Sequence, residues 1–206
     1  MKVLLINGSP HVQGCTYTAL SEVAGSLQEN GIETRIFHLG THPISGCHGC
    51  RKCAQTGLCF INDVVNEFLT ASDEYDGFVF GSPVHYASAS GMICSFMDRV
   101  FYGKNRRFAN KPAAAVVSCR RGGATAAFDR LNKYFTISNM PVVSSQYWNM
   151  VHGNTPDEVR QDLEGMQIMR TLGRNMAWLL HCIEAGKNAG VPLPHPEKRV
   201  ATNFIR

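Results

Sequence analysis

Four cysteines stand close together, with a spacing typical of metal or redox chemistry. They are Cys47, Cys50, Cys53 and Cys59, separated by two, two and five residues. In a chain that we expect to be intracellular, such spacing favours a metal ion, a cluster or redox chemistry over structural disulfides. The first three have the compact spacing with which a tight turn directs thiolates at a four-iron cluster. The segment is therefore predicted to be a metal or redox centre.

The group held by this segment stays open from spacing alone. Ferredoxins have a shorter last gap and a proline after the fourth cysteine, whereas Phe60 follows Cys59 here. Reduced thiols or a zinc ion would use the same residues, although ligands so close together would crowd a tetrahedral zinc site. The other four cysteines are isolated, and we interpret them as small buried hydrophobic residues. They are Cys15, Cys94, Cys119 and Cys182.

Three further segments are rich in small and flexible residues, and each is expected to lie between a strand and a helix. Segment 8–16 offers the hydroxyls of Ser9 and Thr16 beside free backbone N–H groups, which suits a phosphate monoester. It matches neither a Walker loop nor a dinucleotide fingerprint. Segment 81–90 offers Tyr86 and small residues to a flat heteroaromatic ring, and segment 118–124 again precedes a helix. Each alone could be an ordinary turn, so the prediction of a ligand site rests on all three.

The elements that must position these segments alternate between strand and helix. Apolar runs predict five strands, at 2–7, 33–39, 76–81, 113–118 and 141–148. Helical spacing predicts helices at 16–30, 63–71, 90–101 and 124–135. A last helix is predicted from the capping box that begins at Thr155 to about Asn188.

This alternation predicts an α/β fold, because parallel strands need crossover connections. We expect a doubly wound, five-stranded parallel sheet with helices on both faces. In such sheets ligands bind beyond the carboxyl ends of the strands, where the three segments would lie. The prolines after Gly190 exclude regular helix, so residues 1–190 are predicted to form the domain and 191–206 a Pro-rich tail.

Composition excludes several classes of protein. The chain has 206 residues, 44% of them hydrophobic and 17% charged, which suits a folded core rather than disorder. No apolar run is long enough for a membrane span, and the first strand is too short for a signal peptide, so we expect a cytoplasmic protein. The net charge of +4, without a recognition motif, argues against nucleic acid. Seven basic residues and no acid lie between Arg99 and Arg121, a patch that would suit a phosphate-bearing ligand.

In combination the motifs resemble a known family. Gly8-Ser9-Pro10, Ser82-Pro83-x-x-Tyr86 and Arg121-Gly122-Gly123 are similar to motifs of the flavodoxin-like NADPH-dependent FMN reductases. The cysteine segment resembles that of the iron–sulfur flavoprotein branch, and the likeness covers roughly residues 1–148. It implies a flavodoxin-like fold and non-covalently bound FMN. The residues it implies in FMN binding are Ser9, Pro10, His11, Gly14, Cys15, Thr16, Pro83, Val84, His85, Tyr86, Ser88, Arg121, Gly122 and Gly123.

The resemblance places the FMN phosphate on the first segment and the ring against the second. Cys15 departs from the family, which often has Asn or another small polar residue there, so one phosphate contact would come from backbone only. The implied ligands of a 4Fe-4S cluster are Cys47, Cys50, Cys53 and Cys59. We expect this cluster at the same sheet edge as the flavin, because the cysteines follow the second strand. No side-chain acid–base set is recognisable, so the chemistry would belong to the flavin.

The implied function is an FMN-dependent oxidoreductase that passes electrons from NAD(P)H through flavin to a small molecule or a redox protein. One alternative is an iron–sulfur flavoprotein electron carrier that works with ferredoxin and without nicotinamide. Another is a redox or metal sensor based on the cysteines. The basic residues from Lys104 to Lys111 favour NADPH, as a site for its 2′-phosphate. The resemblance also implies a homodimer or homotetramer.

Overall fold

Strands and helices alternate along the chain as the apolar periods predict. The computed structural model describes residues 1–198, 200, 202 and 204. The strands are β1 Lys2–Asn7, β2 Glu33–His38, β3 Gly77–His85, β4 Ser88–Ala89, β5 Ala113–Cys119 and β6 Met150–His152. The helices are α1 Cys15–Glu29, α2 Cys53–Thr56, α3 Val64–Ala71, α4 Gly91–Lys104, α5 Ala124–Ile137, α6 Pro156–Gln161 and α7 Leu163–Asn188. Short 3-10 helices follow α3 at Ser72–Glu74 and α4 at Asn105–Phe108.

The sheet has the predicted doubly wound topology. Five strands pair in parallel in the order β2-β1-β3-β5-β6, and β4 pairs antiparallel with β3 as a hairpin. The chain reverses its direction across the sheet after β2, so β1 and β3 lie side by side at the switch point. This arrangement confirms the prediction of a flavodoxin-like parallel sheet and adds a short sixth strand to it.

Helices cover both faces of the sheet, and each face has its own core. On β1, Val3 and Leu5 face the layer of α1 and α7, whereas Leu4 and Ile6 face α3, α4 and α5. In the second layer the fully buried ring of Phe68 lies 5.1–6.2 Å from five other phenylalanine rings, measured between centroids. Burial of each large apolar side chain contributes about 1.5–3 kcal/mol, so these two cores fix the strand ends from which the loops emerge.

The predicted fifth strand at 141–148 is wrong. Backbone hydrogen bonds join Ala113 to Pro141 and Val143, but the chain then leaves the sheet and rejoins it at Met150. Ser145 causes this departure, because its hydroxyl donates to the carbonyl of Tyr147 at 2.6 Å and accepts from the Tyr147 N–H at 3.3 Å. A serine-centred turn therefore replaces the middle of the strand.

The single long helix predicted from Thr155 is also wrong, because it breaks at Asp162. The capping box at Thr155 is present, but α6 ends at Gln161 and α7 starts at Leu163. The Asp162 backbone has φ −75° and ψ +80°, outside the helical region, and its carboxylate accepts from the Gly165 N–H at 2.9 Å. Asp162 thus acts as a second N-cap, which is a frequent role of aspartate.

Residues 191–198 are exposed and contain neither helix nor strand. Positions 199, 201, 203, 205 and 206 of the predicted tail lie outside the described residues. Across the part of the chain that is described, none of the helices is long and apolar enough to cross a membrane.

Candidate functional site

The first loop joins β1 to α1 and is built around the buried side chain of Asn7. The amide of Asn7 donates to the carbonyl of Val12 at 3.1 Å, and its oxygen accepts from the N–H of Ser9 at 3.1 Å. The Ser9 hydroxyl, itself buried, accepts from the His11 N–H at 3.1 Å. These bonds hold the loop in one shape, and Asn7 is an organising residue that the motif alone did not single out.

The start of α1 leaves backbone donors available. Gly14 is the N-cap, and among the described residues no side chain caps it. The first N–H groups of a helix have no partner within the helix, and here they face the edge of the sheet where β1 ends. Uncapped N–H groups at a helix start bind anions, because their partial positive charges add along the helix.

The second loop is a tight hairpin rather than an irregular loop. Val84 pairs with Ala89 and His85 with Ser88, which leaves Tyr86 as the first residue of a two-residue turn. Both turn residues have positive φ, 50° and 58°, as a type I′ turn requires. Tyr86 is fully exposed, so its ring is free to cover a ligand but packs against nothing in this structure.

The third loop follows β5 and leans on this hairpin. Gly123 has φ +89°, and a Cβ there would lie 2.5 Å from the Cα of Ala87. Only glycine therefore allows the two loops to approach so closely. Gly122 differs, since a Cβ at that position would contact nothing within 4 Å. Arg121 and its neighbour Arg120 are exposed at this edge and give it positive charge.

Hydrogen bonds also tie the first loop to the other two. The Gly8 N–H donates to the carbonyl of Gly81 at 2.9 Å, and the Ser90 hydroxyl donates to the carbonyl of Gly8 at 3.1 Å. The hydroxyls of Thr16 and Ser118 lie 2.8 Å apart, and either can be the donor. When Ser118 donates, the Thr16 proton is free for a ligand. The three loops therefore form one connected surface at the carboxyl ends of β1, β3 and β5.

The structure distributes the predicted FMN residues unequally over this surface. Ser9 and Thr16 are buried, and their hydroxyls already make the contacts described above. Six other predicted residues are half-buried: Gly14, Cys15, Pro83, Val84, Ser88 and Gly123. The remaining six are exposed: Pro10, His11, His85, Tyr86, Arg121 and Gly122.

Two thiols beside the loops are held in the neutral form. Burial raises the pKa of Cys15, and the carboxylate of Glu158 adds to that effect. Burial likewise raises the pKa of Cys119, with a further contribution from Asp162. Neutral thiols do not oppose an anionic ligand at this edge.

The cysteine segment follows β2 and precedes α3 in the chain, and with α4 it forms a separate, shallow pocket. All four clustered thiols line it, and the other lining residues are Gly46, His48, Arg51, Phe60, Ile61, Arg99 and Tyr102. None of these lining residues is a carboxylate, so thiolates are the anionic donors and arginines the nearby cations. This donor set fits a thiolate-ligated group with net negative charge. In the described ranges no three His, Cys, Asp or Glu side chains converge as ligands of one metal ion would.

Cys59 is the most firmly held of the four cysteines. Its backbone N–H and carbonyl both bond to the buried amide of Asn66, at 2.8 and 2.9 Å. Its sulfur accepts a hydrogen bond from the Nε of Arg99 at 3.3 Å. Cys47 and Cys50 are exposed, whereas Cys53 packs on α4 so closely that a Cβ at Gly103 would overlap its sulfur.

The pocket does not lie at the edge of the three loops, which corrects the expectation from chain order. Helix α4 starts at that edge, where Ser90 contacts Gly8, and runs toward the amino ends of the strands. Cys59 contacts α4 at Arg99 and Cys53 contacts it at Gly103. At 1.5 Å per residue these contacts lie about 12 and 18 Å along the helix from Gly91.

The basic residues expected to bind the 2′-phosphate of NADPH also lie at the opposite edge. Arg107 donates to the carbonyl of Leu69 at 2.8 Å and pairs with Asp73 at 3.3 Å. Lys111 donates to the carbonyl of Tyr75 at 2.7 Å and lines a cavity of about 310 Å³ at the amino ends of the strands. The side chain of Lys104 lies outside the described residues. These contacts are structural, so Arg107 and Lys111 do not support a site for the 2′-phosphate.

Comparison with known proteins identifies the family and agrees with the fold. The family model of the NADPH-dependent FMN reductases matches residues 1–155. An iron–sulfur flavoprotein of Methanocaldococcus jannaschii is 32% identical over 192 residues, which cover 89% of this chain and 100% of that protein. A second iron–sulfur flavoprotein of that organism is 30% identical over 84% of this chain and 94% of its own.

A solved structure shares the fold at low sequence identity. The NAD(P)H:quinone oxidoreductase of Methanothermobacter marburgensis superposes with a TM-score of 0.65 at 17% identity, covering 85% of this chain and 96% of that chain. By sequence and by fold, the chain belongs to the NADPH-dependent FMN reductase family, and within it to the iron–sulfur flavoproteins.

Proposed function

We propose that this oxidoreductase binds FMN on the surface formed by the three loops and uses NAD(P)H to reduce it. The observation that carries the proposal is the connected set of loops at the carboxyl ends of β1, β3 and β5, with uncapped N–H groups at the start of α1. FMN held there would supply hydride transfer from NAD(P)H and electron transfer to a second acceptor. The protein supplies position and electrostatics for that exchange.

The phosphate of FMN would lie against the first loop. The N–H groups after Gly14 are neutral donors. The hydroxyl of Ser9 keeps a proton that can point at the phosphate, and that of Thr16 does so when Ser118 donates to it. The isoalloxazine would lie along the hairpin, between Tyr86 and the third loop. Arg121, exposed beside it, would favour the anionic form of the reduced ring.

We further propose that the cysteine pocket holds a 4Fe-4S cluster, with Cys47, Cys50, Cys53 and Cys59 as ligands. Four thiols and cationic neighbours support this assignment. Burial raises the pKa of Cys53, and the neighbouring thiols raise it further, so a bound cation is what would make four thiolates stable together. Because Cys47 and Cys50 are exposed, a ferredoxin-like protein could reach this site from solution.

One experiment separates the reductase from an electron carrier. FMN-loaded protein is mixed with NADPH, NADH or reduced ferredoxin without oxygen, and flavin absorbance is followed by stopped flow. Bleaching by a nicotinamide nucleotide supports the reductase, and similar rates with both nucleotides would remove any preference for NADPH. Bleaching only by reduced ferredoxin would establish the carrier instead. Protein that takes up no FMN would overturn both and favour a cysteine-based sensor.

Iron analysis tests the cluster independently of flavin. Protein reconstituted anaerobically with iron and sulfide should be brown and contain about four irons per chain, as four-thiolate ligation implies. Iron-free protein after the same treatment would leave the flavin reductase standing without a cluster. One zinc per chain would identify a structural metal site instead.

Assembly and compartment are proposed on surface and thiol chemistry. Tyr147, Trp148 and Trp178 are all more than half exposed, and Asn175 on α7 bonds to the segment that carries the first two. Exposed aromatics of this kind favour a homodimer or homotetramer, and a monomeric mass by light scattering would contradict it. All eight cysteines are free thiols, which suits the reducing cytoplasm.

A further inference from the structure

Arg99 is a buried arginine whose five N–H donors are all engaged. Its side chain is 1% exposed. The two terminal nitrogens bind both oxygens of Asp63, at 2.6 and 2.8 Å, and reach the carbonyls of Ser45 and Ile61 at 3.4 and 2.9 Å. The remaining donor, Nε–H, points at the sulfur of Cys59 at 3.3 Å. One side chain thus joins α4 to three points of the cysteine segment.

The burial of the charged Arg99 side chain indicates a role beyond packing α4 against the cysteine segment. An arginine guanidinium stays protonated in proteins, so a full positive charge lies buried beside Cys59. Asp63 already neutralises it through a bidentate pair. The Nε–H is left to interact with the sulfur of Cys59 at 3.3 Å, and a charged donor is attracted to negative charge on that sulfur.

Building on the proposed cluster, we propose that Arg99 is a positioning residue that fixes Cys59 and raises the reduction potential of the iron–sulfur centre. Reduction adds one electron and therefore one negative charge to the centre. A buried cation and an N–H···S hydrogen bond stabilise the more negative form, and such contacts set the potentials of these clusters. Asp63 works in the opposite direction, because its carboxylate offsets part of the cation's field.

Two substitutions should therefore shift the potential in opposite directions. Arg99→Gln removes the charge and should make the ratio of reduced to oxidised centre at a fixed potential about tenfold smaller, equivalent to about 59 mV for one electron. Asp63→Asn leaves Arg99 charged, so it should raise the potential, and asparagine still serves as the N-cap of α3. The matched control is Arg107→Gln, which also removes a guanidinium that binds a carbonyl and an aspartate but contacts no sulfur.

The test is a redox titration with dithionite, followed by electron paramagnetic resonance of the reduced centre, with iron analysis of each variant. Opposite shifts with full iron content support the proposal, and an unchanged potential in Arg99→Gln overturns it. Equal loss of iron from Arg99→Gln and Asp63→Asn would show that the pair is only structural.

A second variant covers misfolding of Arg99→Gln, and the iron content of the wild type tests the proposed cluster itself. If Arg99→Gln does not fold, Arg99→Lys keeps the charge but loses the sulfur contact, and it should still lower the potential. An unchanged potential in that variant overturns the proposal. If the wild-type protein takes up no iron, the proposed cluster itself fails, and the role of Arg99 fails with it.

Discussion

Gly123 is where the third loop depends most sharply on the absence of a side chain. Alanine at this position would adopt φ +89°, which costs about 1–2 kcal/mol for a residue with a Cβ. Its Cβ would also lie 2.5 Å from the Cα of Ala87, and relieving such overpacking costs about 1–3 kcal/mol. We therefore expect Gly123→Ala to destabilise the protein by about 2–5 kcal/mol and to push the hairpin away from the third loop.

Gly122→Ala is the matched control, because its Cβ would meet nothing and its φ is not positive. Both variants lose the same backbone freedom in the unfolded chain, so their difference isolates the strain and the contact. At about 2–4 °C per kcal/mol for a chain of this size, Gly123→Ala should melt at least about 4 °C below Gly122→Ala. FMN titration by fluorescence quenching should show weaker binding in Gly123→Ala alone. Equal melting temperatures and equal FMN affinities would refute the reasoning.

Three other predictions address the hydroxyls, the thiols and pH. Ser9→Ala should weaken FMN binding by about 1–3 kcal/mol in fluorescence titration, whereas Ser21→Ala, which removes an unpaired hydroxyl elsewhere on α1, should leave it unchanged. Cys59→Ser should lower the iron content measured after reconstitution, and Cys182→Ser, on the exposed surface of α7, should not. Burial raises the pKa of Cys119 above the usual thiol value of 9.0, so its stabilisation is present below pH 9 and is lost as pH rises through the folded-state pKa. Urea unfolding should show less loss of stability above pH 9 in Cys119→Ala than in the wild type, and parallel curves would contradict this.

The sequence predicts the alternating elements well because each buried strand and amphipathic helix has a local signature. Lys2–Asn7 contains the continuous apolar run 3–6, and the capping box at Thr155 marks a helix start without ambiguity. The failures lie where a single polar side chain overrides the apolar pattern. Ser145 turns the chain out of the sheet, and Asp162 interrupts a helical stripe whose apolar spacing continues on both sides.

The candidate site was predictable as a set of residues but not as an arrangement. Loop glycines and hydroxyls are visible in the motifs, whereas the contact between Gly123 and Ala87 depends on two segments distant in sequence. Asn7 and Arg99 carry no motif, and their roles appear only when the carbonyls and sulfur around them are known. The position of the cysteine pocket along α4 likewise follows from packing rather than from chain order.

The two-residue hairpin turn has a consequence for directed evolution of this protein. Glycine and asparagine are the usual residues where both φ values are positive, yet this chain has Tyr86 and Ala87 there. Substituting either with glycine or asparagine would relieve roughly 1 kcal/mol of backbone strain. A laboratory selection for heat resistance would therefore accumulate changes at this turn. A selection for flavin turnover would reject the changes at Tyr86, because they remove the proposed ring contact.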